Sequence, residues 1–481
     1  MRALPKKSRA AFQLAAVSAL IWGMFVLAAP VLAPAAVAQP LVGNEQGPLE
    51  ARKEALFQEM LRNPANLDVT FAYADVAARL GDYEAAVSTL ERMLLFNPNL
   101  PRVDLELGAL YFRMGSFSVA RDYFDKAAAA TPPPPAEVRA RIAEYLAQIE
   151  KRQSRHQLSG YIFLGGQYQT DANVAPGSPL ILSPIGPVLL NNQFVKQPSG
   201  SVFASGSLLY SYDLETQNHD TIEVTSVGYV NHYLNQAVTR LDLDLLEATA
   251  GPRFNFPNGG LVGHKLASVK PYAIFDEVGL GENQYFGAYG AGLEYDEIVW
   301  GDLALKSVFE FRQKNFTNAA DRPLSTGLDG SDKLVSLSAT KPLGTSSALN
   351  LELDYLDQTT RLAYYTNDSY AVTGAYRIHY SAPFAVSAYP WESSLFVGRA
   401  WSIYAGADPC CNTSGNLFPG VYPAGYSSQL TQRWRFGITE AVPVTATIAV
   451  VLQLERDIVS SNLPIYAYTN NSVLLGPQIR F

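Results

Sequence analysis

The chain changes character near residue 155. From residue 156 onward, apolar and polar residues alternate in segments of roughly ten to sixteen residues, separated by clusters of Gly, Asn, Asp and Pro. The stretches Leu241 to Leu245 (Leu-Asp-Leu-Asp-Leu) and Leu351 to Tyr355 (Leu-Glu-Leu-Asp-Tyr) show the pattern well. Successive side chains of a β-strand point to opposite faces, so each segment predicts a strand with one apolar and one polar face.

Counting these segments predicts fourteen strands, an even number, as single-chain bacterial barrels have. We place them at residues 157–171, 200–213, 220–234, 239–256, 266–279, 284–298, 302–316, 331–342, 346–361, 367–381, 391–406, 427–441, 444–458 and 470–481. The long connections 172–199, 317–330 and 407–426 follow the first, seventh and eleventh strands, so they all fall at one end of the sheet. A water-soluble sandwich would show the same alternation, but the strand parity favours a closed antiparallel transmembrane β-barrel over residues 156–481.

The last segment supports this assignment. It alternates apolar residues with period two: Val473, Leu475, Pro477, Ile479 and Phe481. A lipid-facing row of this kind is expected on a barrel strand. The terminal Phe481 resembles the signal that the outer-membrane barrel assembly machinery reads, and the alternative is a secreted chain that ends in Phe by chance. We therefore expect a location in the outer membrane of a Gram-negative bacterium.

Residues 45–152 carry a helical repeat instead of strands. Pro64, Pro98 and Pro132 recur at a spacing of 34 residues, and glycine, small and aromatic residues recur within that frame. The pattern rests on Gly81, Tyr83, Ala86, Pro98, Gly108, Tyr111, Gly115, Ala120 and Pro132. It resembles the tetratricopeptide repeat, in which Gly ends the first helix, Ala lets the helices approach and Pro separates the units.

We expect two such units, with a helix over 48–62 before them and a charged helix over 136–152 after them. The fold class predicted for the whole chain is therefore α+β multidomain, with a short α-helical repeat domain followed by a fourteen-stranded barrel. A repeat array of this kind presents a concave surface that can bind a segment of another protein. The alternative is a spacer or a folding platform for the barrel.

The first 38 residues have the three parts of a secretory signal peptide. Four basic residues precede an apolar run from Ala10 to Ala29, and the triplet Ala36 to Ala38 follows as a cleavage site. We place the signal peptide at 1–38, and an uncleaved anchor is the alternative. After the first forty residues no apolar run of about 18 residues occurs, so the sequence predicts no mature transmembrane helix.

Charge excludes one class of partner. The chain has 36 Lys and Arg against 44 Asp and Glu, a net charge of -8. A protein that holds nucleic acid by neutralising phosphates needs a basic face, so we expect no nucleic-acid partner.

The polar faces of the strands should line the lumen of the barrel. The residues expected there are Glu223, Asp242, Asp244, Glu294, Asp296, Glu310, Arg312, Lys314, Glu352, Asp354, Arg433, Arg435, Glu455 and Asp457. Such a lining makes either an aqueous path or a salt-bridged filling. The apolar run from Leu180 to Leu190, in the first long connection, either folds into the lumen as a plug or presents an apolar patch.

No motif predicts catalysis. The five His residues form no close-spaced pair, and metalloprotease, nucleophile-elbow and phosphate-loop motifs do not occur. A Ser/His pair on the lipid face could involve His232 or His379, but interfacial or lumen histidines explain them more simply. We expect no enzyme activity, no cofactor and no bound metal. The adjacent Cys410 and Cys411 allow a strained vicinal disulfide, pairing with another molecule, or free thiols.

The order of signal peptide, short repeat array and barrel resembles the surface lipoprotein assembly modifiers. Locally, the stretch from Tyr168 to Pro176, which contains Asp171-Ala-Asn173-Val174, looks like the Asp-x-Asn-Val segment that opens barrels in that family. Ala175 departs from the family pattern, where a second Asn is common.

The resemblance implies export of a protein, typically a surface lipoprotein or haemophore, across the outer membrane. The periplasmic repeats would engage the cargo or a periplasmic chaperone, and outer-membrane lipid and the barrel assembly machinery would be further partners. Two alternatives remain: an exopolysaccharide export barrel, and a passive porin or adhesin.

Overall fold

A computed structural model describes residues 46–63, 66–183, 186–190, 194–262, 266–383, 389–406 and 428–481. The predicted signal peptide, Pro64 and the pair Cys410 and Cys411 lie outside these residues. The chain forms two compact units that divide between Arg155 and His156. Among the helices of the described residues, none is long and apolar enough to cross a membrane.

The N-terminal unit contains six described helices that resemble a tetratricopeptide-like fold. They are α1 (Gln46–Arg62), α2 (Leu67–Arg79), α3 (Tyr83–Phe96), α4 (Pro101–Arg113), α5 (Phe117–Ala128) and α6 (Ala136–Gln153). Each helix packs against the next one along the chain. Helices α2 with α3, and α4 with α5, are the two predicted repeat units, and α1 and α6 flank them as expected.

Local signals set the ends of these helices. Asn66 begins α2 by accepting hydrogen bonds from the backbone N–H groups of Asp68 (3.1 Å) and Val69 (3.3 Å). Gly81 and Gly115 follow the first helix of each unit with φ of 81° and 78°, a left-handed conformation that ends a helix at little cost only for glycine. The 34-residue recurrence of glycine is therefore a recurrence of the helix stop.

Small residues set the distance between the helices. Ala86 and Ala120 are fully buried between neighbouring helices. At Gly108 in α4, a Cβ would lie 2.8 Å from the ring of the buried Phe124 in α5. The close approach of α4 and α5 thus depends on the missing side chain at position 108.

The second unit is a closed antiparallel barrel of fourteen strands. Its strands are β1 (His156–Gln169), β4 (Ser199–Asp213), β5 (Thr221–Tyr233), β6 (Leu243–Phe256), β7 (Ala267–Leu280), β8 (Asn283–Val299), β9 (Leu303–Phe316), β10 (Gly330–Leu343), β11 (Ser347–Thr360), β12 (Asn367–Tyr380), β13 (Trp391–Tyr404), β14 (Leu430–Pro443), β15 (Ile448–Ser461) and β16 (Tyr468–Arg480). A separate hairpin pairs β2 (Leu180–Ser183) with β3 (Gly186–Leu189). The predicted fold class, a helical repeat array followed by a fourteen-stranded antiparallel barrel, is confirmed.

Each predicted segment coincides with one barrel strand, and the largest shift is in β15, expected at 444–458 and found at Ile448–Ser461. The connections 170–198, 317–329 and 405–429 leave the same end of the barrel, which we call the loop end. The opposite end, where β1 begins and β16 finishes, is the turn end. The hairpin β2–β3 inside the first long connection was not predicted.

The barrel closes by pairing its first strand with its last. Seven residue pairs join β1 to β16, in two groups interrupted opposite Leu164 and Gly165, whereas fourteen pairs join β1 to β4. Pro477 lies in the interrupted stretch and has no N–H to donate. At the turn end, Phe481 and Gly160 exchange backbone hydrogen bonds of 3.0 and 3.1 Å. This seam, the β1–β16 pairing, is the shortest ladder of the described barrel.

Filling the contact at Gly108 tests the repeat packing. We expect Gly108→Ala to lower the free energy of unfolding of the helical unit by about 1–3 kcal/mol, because the new methyl group overlaps the buried Phe124 ring. The measurement is the loss of the helical circular dichroism signal of the full chain with urea. The control is Gly47→Ala in α1, where a Cβ meets nothing within 4 Å. Equal midpoints for the two variants would contradict the packing argument.

Candidate functional site

The inner wall of the barrel carries a network of charges centred on Arg253 of β6. Its guanidinium donates to Glu223 (2.8 Å), Glu294 (2.6 Å) and Asp296 (2.7 Å). Lys270 and Lys306 neutralise the same carboxylates, with Lys270 2.9 Å from Glu223 and Lys306 2.7 Å from Glu294. These charged residues all lie on the inward faces of their strands. Their ion pairs join β5, β6, β7, β8 and β9, and therefore brace one wall of the lumen.

A second cation, Arg312 of β9, holds three more carboxylates. Its Nη1 lies 2.9 Å from both Glu247 and Asp276, and its Nη2 lies 2.7 Å from Glu310. The Tyr272 hydroxyl also donates to Glu310, at 2.7 Å. The Tyr272 ring lies so close to Gly292 that a Cβ there would approach within 2.3 Å of it.

A further set of ion pairs lies on β14 and β15. Arg433 forms a bidentate pair with Asp457, at 2.9 and 2.7 Å, and Tyr468 donates to the same carboxylate at 3.1 Å. Arg435 lies 2.9 Å from Glu455. Lys314 pairs with Asp332 between β9 and β10. The salt-bridged filling, one of the two expected kinds of lining, is the arrangement of these described residues.

Glu352 and Asp354 are less exposed than their neighbours Leu351 and Leu353, which face outward, so both acidic side chains lie on the inward face of β11.

The expectation that Asp244 lines the lumen was wrong. Asp244 is exposed on the outer face of β6, whereas Leu243 and Leu245 are buried on the inner face. Asp242 lies in the connection before β6, where its carboxylate accepts a hydrogen bond from the N–H of Tyr233, the last residue of β5, at 2.8 Å.

The inversion at Asp244 has a physical cause. At the loop end, Leu243 and Leu245 belong to a buried apolar cluster that also contains Tyr285, Phe316 and Leu328. Loops fold onto the inner wall here, so the inward faces of β6 and β7 are apolar at this end, at Leu243, Leu245, Val278 and Leu280. Farther down the same strands they are charged, at Glu247 and Asp276. Apolar and polar residues still alternate along β6, but at this end the apolar residues face inward and the polar Asp244 faces outward.

Arg322 anchors the loop 317–329 in this cluster. Its side chain is 2% exposed, donates to the backbone carbonyl of Leu280 at 2.7 Å and lies over the Tyr285 ring at 5.5 Å. Sequence reasoning missed Arg322, because a charged residue in a loop is ordinarily solvated. It also missed Arg253 and Lys270, although the alternation of β6 and β7 could have identified both as inward residues.

The first long connection begins with residues 170–176, which we call the stem. Asp171 is fully buried, accepts from the Ala175 N–H at 3.1 Å and donates its own N–H to Asn470 at 2.9 Å. Asn173 is bonded to Val195 and Gln197, each at 2.8 Å. The Asp-x-Asn-Val segment therefore pins the stem against the inner wall near the seam.

Side chains of the apolar run are described only at Leu180, Leu189 and Leu190, so the choice between a plug and an apolar patch stays a prediction. Leu190 is buried, whereas Leu180 and Leu189, at the open end of the hairpin, are about half exposed.

Burial raises the pKa of the Asp171 carboxyl to about 7, although the hydrogen bond from the Ala175 N–H and the charge of Lys196 both act to lower it.

In the helical unit, the signature residues lie where helices meet. The rings of Tyr111 and Tyr123 stack at 5.5 Å, and both hydroxyls donate to Glu91, at 2.7 and 3.3 Å. Tyr83 packs at the edge of the core, and Pro98 and Pro132 lie in the connections after α3 and α5. Leu95 and Phe96, at the end of α3, are 83% and 80% exposed, an apolar pair on the surface of this unit.

The described residues contain no cluster of three or more metal-ligating side chains. His232 lies 3.2 Å from Asp242 and His379 lies 3.2 Å from Glu392. The expectation that the protein has no enzyme activity stays a prediction. The aromatic terminus, Phe481, is 44% exposed at the seam, and its role in barrel assembly is likewise a prediction.

Removing the cation of the second network tests the bracing. Arg312→Met leaves three carboxylates without their shared partner, so we expect a loss of about 3–5 kcal/mol in the free energy of unfolding. The measurement is urea unfolding of the full chain in detergent, followed by tryptophan fluorescence. Lys333→Met is the control, because the Lys333 side chain is 60% exposed and pairs with the single carboxylate of Asp357, a contact worth about 0–1 kcal/mol. A cost no larger than that of the control would show that the network does not brace the wall.

The buried carboxyl of Asp171 predicts a pH dependence of the stem. A pKa raised to about 7 favours the neutral form, so the stem should weaken as pH rises from about 4 through about 7. Asp171→Asn keeps an oxygen for the Ala175 N–H and does not ionise. We expect slower hydrogen exchange than wild type over 170–176 at pH 8, and equal protection near pH 4.

The matched control for this measurement is Asp329→Asn, whose carboxylate also accepts a backbone N–H in a loop, from Phe316 at 2.7 Å. That variant should leave the exchange of 170–176 unchanged after correction for intrinsic rates. Faster exchange in Asp171→Asn than in wild type at pH 8 would mean that the charge stabilises the stem.

No family model and no curated protein match the chain. Among solved structures, it is similar to the Yersinia enterocolitica type III secretion chaperone SycD in complex with a peptide of the translocator YopD (14% identity, 23% of this chain and 86% of that chain, TM-score 0.21). It is also similar to PcrH in complex with the chaperone-binding region of PopD (16% identity, 29% and 91%, TM-score 0.21). A tetratricopeptide repeat protein from Parabacteroides merdae gives 19% identity, 22% and 41%, and a TM-score of 0.20. Likenesses this low carry no functional argument.

Proposed function

We propose that this protein is an outer-membrane translocator that delivers a surface lipoprotein or another secreted protein to the cell surface. In this proposal the barrel spans the outer membrane with its loop end outside. The helical unit lies in the periplasm, where it engages the cargo or a chaperone. The resemblance to the surface lipoprotein assembly modifiers, in the Asp-x-Asn-Val segment and in the domain order, supports the same reading.

The observation that carries the proposal is the contrast between a braced wall and a short seam. Ion networks around Arg253 and Arg312 cross-link β5 to β9 on the inner wall, whereas β1 and β16 share seven paired residues. A passive pore needs a lumen that stays hydrated, but here loops and ion pairs pack on the inner wall. Opening this barrel at its seam separates fewer paired residues than opening any other pairing of the described strands, which favours a conformational passage for a chain.

The experiment compares proteins and polysaccharides on the surface of intact cells with and without the gene. We expect one exported protein to disappear from the surface of the deletion strain and to return with the full chain. It should not return when residues 45–152 are removed, provided that the truncated barrel is present in the membrane. Loss of polysaccharide alone, or no change, would overturn the proposal and favour an exporter of polysaccharide or a porin.

A disulfide across the seam tests the route. Tyr168 and Val473 face each other across β1 and β16 and are both exposed on the outer face. With Cys410 and Cys411 replaced by Ser, the pair Tyr168→Cys and Val473→Cys should block delivery when oxidised and restore it on reduction. The matched pair Leu337→Cys and Leu353→Cys, across β10 and β11, should leave delivery unchanged. Delivery through an oxidised seam would exclude opening at this pairing.

A further inference from the structure

The outer face of the barrel contains a groove on the strands next to the seam. The groove has a volume of about 610 Å³ and crosses β1, β4, β5, β6 and β7. Its walls are apolar side chains that face outward: Ile162, Val230 and Leu246, which are 45%, 38% and 46% exposed. Its floor is formed by Ala204, Gly206 and Gly228.

The strand register explains the shape of the groove. Gly206 pairs with Ile162 on β1 and with Gly228 on β5, and Gly228 pairs in turn with Leu246 on β6. Two glycines therefore lie side by side in one row across the sheet, between two large residues. A Cβ at Gly228 would meet nothing within 4 Å, so the space above this glycine is open.

The size of the groove matches a lipid tail. Five strands at about 4.8 Å spacing span about 19 Å. One leaflet of a bilayer core of about 30 Å is about 15 Å deep, and strands tilted by about 45° place the row obliquely to the membrane. The row begins in the middle of β1 and ends at Glu277, three residues before the loop end of β7, so it descends from the outer interface toward the membrane centre.

Two carboxylates mark the upper end of the groove. Asp244 pairs with Gly279, and Glu277 pairs with Leu246, so both acidic side chains face outward on adjacent strands. Gln284 donates to Glu277 at 2.7 Å. Charges on the lipid face of a barrel are tolerated near the interface, where a head group lies beside them. Anionic head groups would be repelled at this position, and uncharged or cationic ones would not.

We propose that this groove binds one fatty acyl chain whose head group is an uncharged, amide-linked peptide terminus, with the head beside Asp244 and Glu277 and the tail over Gly228. The proposal rests on the proposed function for the source of that chain, the lipid anchor of the exported protein. Lipid tails surrounding the barrel are as apolar as the groove, so selectivity comes from close packing on the glycine floor and from the head group. The lower end of the groove lies on β1, whose other edge is the seam, so an anchor that leaves the seam reaches the groove directly.

Filling the groove tests the tail site. The probe is a short peptide that is N-palmitoylated and carries a diazirine in the acyl chain, added to the full chain in phospholipid nanodiscs. We expect photocrosslinks in wild type to concentrate on the groove strands, and Gly228→Phe to reduce them at least fivefold. Gly374→Phe is the matched control: Gly374 lies on β12 in the same row parity as the outward Tyr370 and Val372, and a Cβ there also meets nothing within 4 Å. It should leave the crosslinks unchanged.

The head-group preference needs a second probe. A phosphate-headed amphiphile with the same diazirine chain should crosslink at the groove several-fold less than the lipopeptide. The double variant Asp244→Asn and Glu277→Gln should remove that difference without changing the fold. Crosslinks spread evenly around the barrel, or equal labelling of wild type and Gly228→Phe, would overturn the groove proposal. Normal surface delivery by Gly228→Phe, together with lost crosslinks, would also overturn the role of the groove in delivery while leaving the translocator proposal standing.

Discussion

The fixed alternation of side chains along a strand is the constraint on which this barrel depends. In a closed sheet every residue that faces inward must find a partner in a confined space, and every residue that faces outward must suit a continuous outer surface. Arg253 and Arg312 satisfy the inner requirement by gathering six carboxylates from five strands. The same parity sets the outer rows of leucine, valine and phenylalanine, and it leaves glycine rows where two strands present no side chain at all.

Closure adds a second constraint, because one pairing must join the two ends of the sheet. The seam between β1 and β16 is interrupted by Pro477, which cannot donate, and by the close approach of Gly165 and Gly476, where a Cβ at Gly476 would lie 2.0 Å from the Leu164 carbonyl oxygen. These are features of sequence, so the weak pairing is encoded in the first and last strands themselves. The stem that contains Asp171 is bonded to Asn470 on the same inner wall, so its order and the order of the seam are linked.

Much of the fold could be predicted from the sequence, because strand parity and a 34-residue helical recurrence are local patterns. The positions of all fourteen strands and the helix stops at Gly81 and Gly115 follow from them. The partners of the charges could not be predicted, since pairing Arg312 with Glu247 and Asp276 requires knowing which strands are neighbours and in which register. Asp244 was misplaced for a related reason. Sequence alternation shows which residues share a face, but which face is inward depends on whether loops fold an apolar cluster onto the wall.

The proposed role of the groove depends on its position next to the seam, because both include β1. An outward-facing glycine row anywhere on the barrel would be only a shallow surface feature, but this one starts on β1, beside the seam, and ends at Asp244 and Glu277 near the loop end. In the translocation that we propose, a lipidated chain that passes through an opened seam must move its tail into the bilayer while its peptide stays outside. A row that runs from the centre of β1 toward the loop end would provide that path along the protein surface. The strands that carry its far part, β5 to β7, are held by the ion networks on their inner faces, so the proposed path would stay in place if the seam opened.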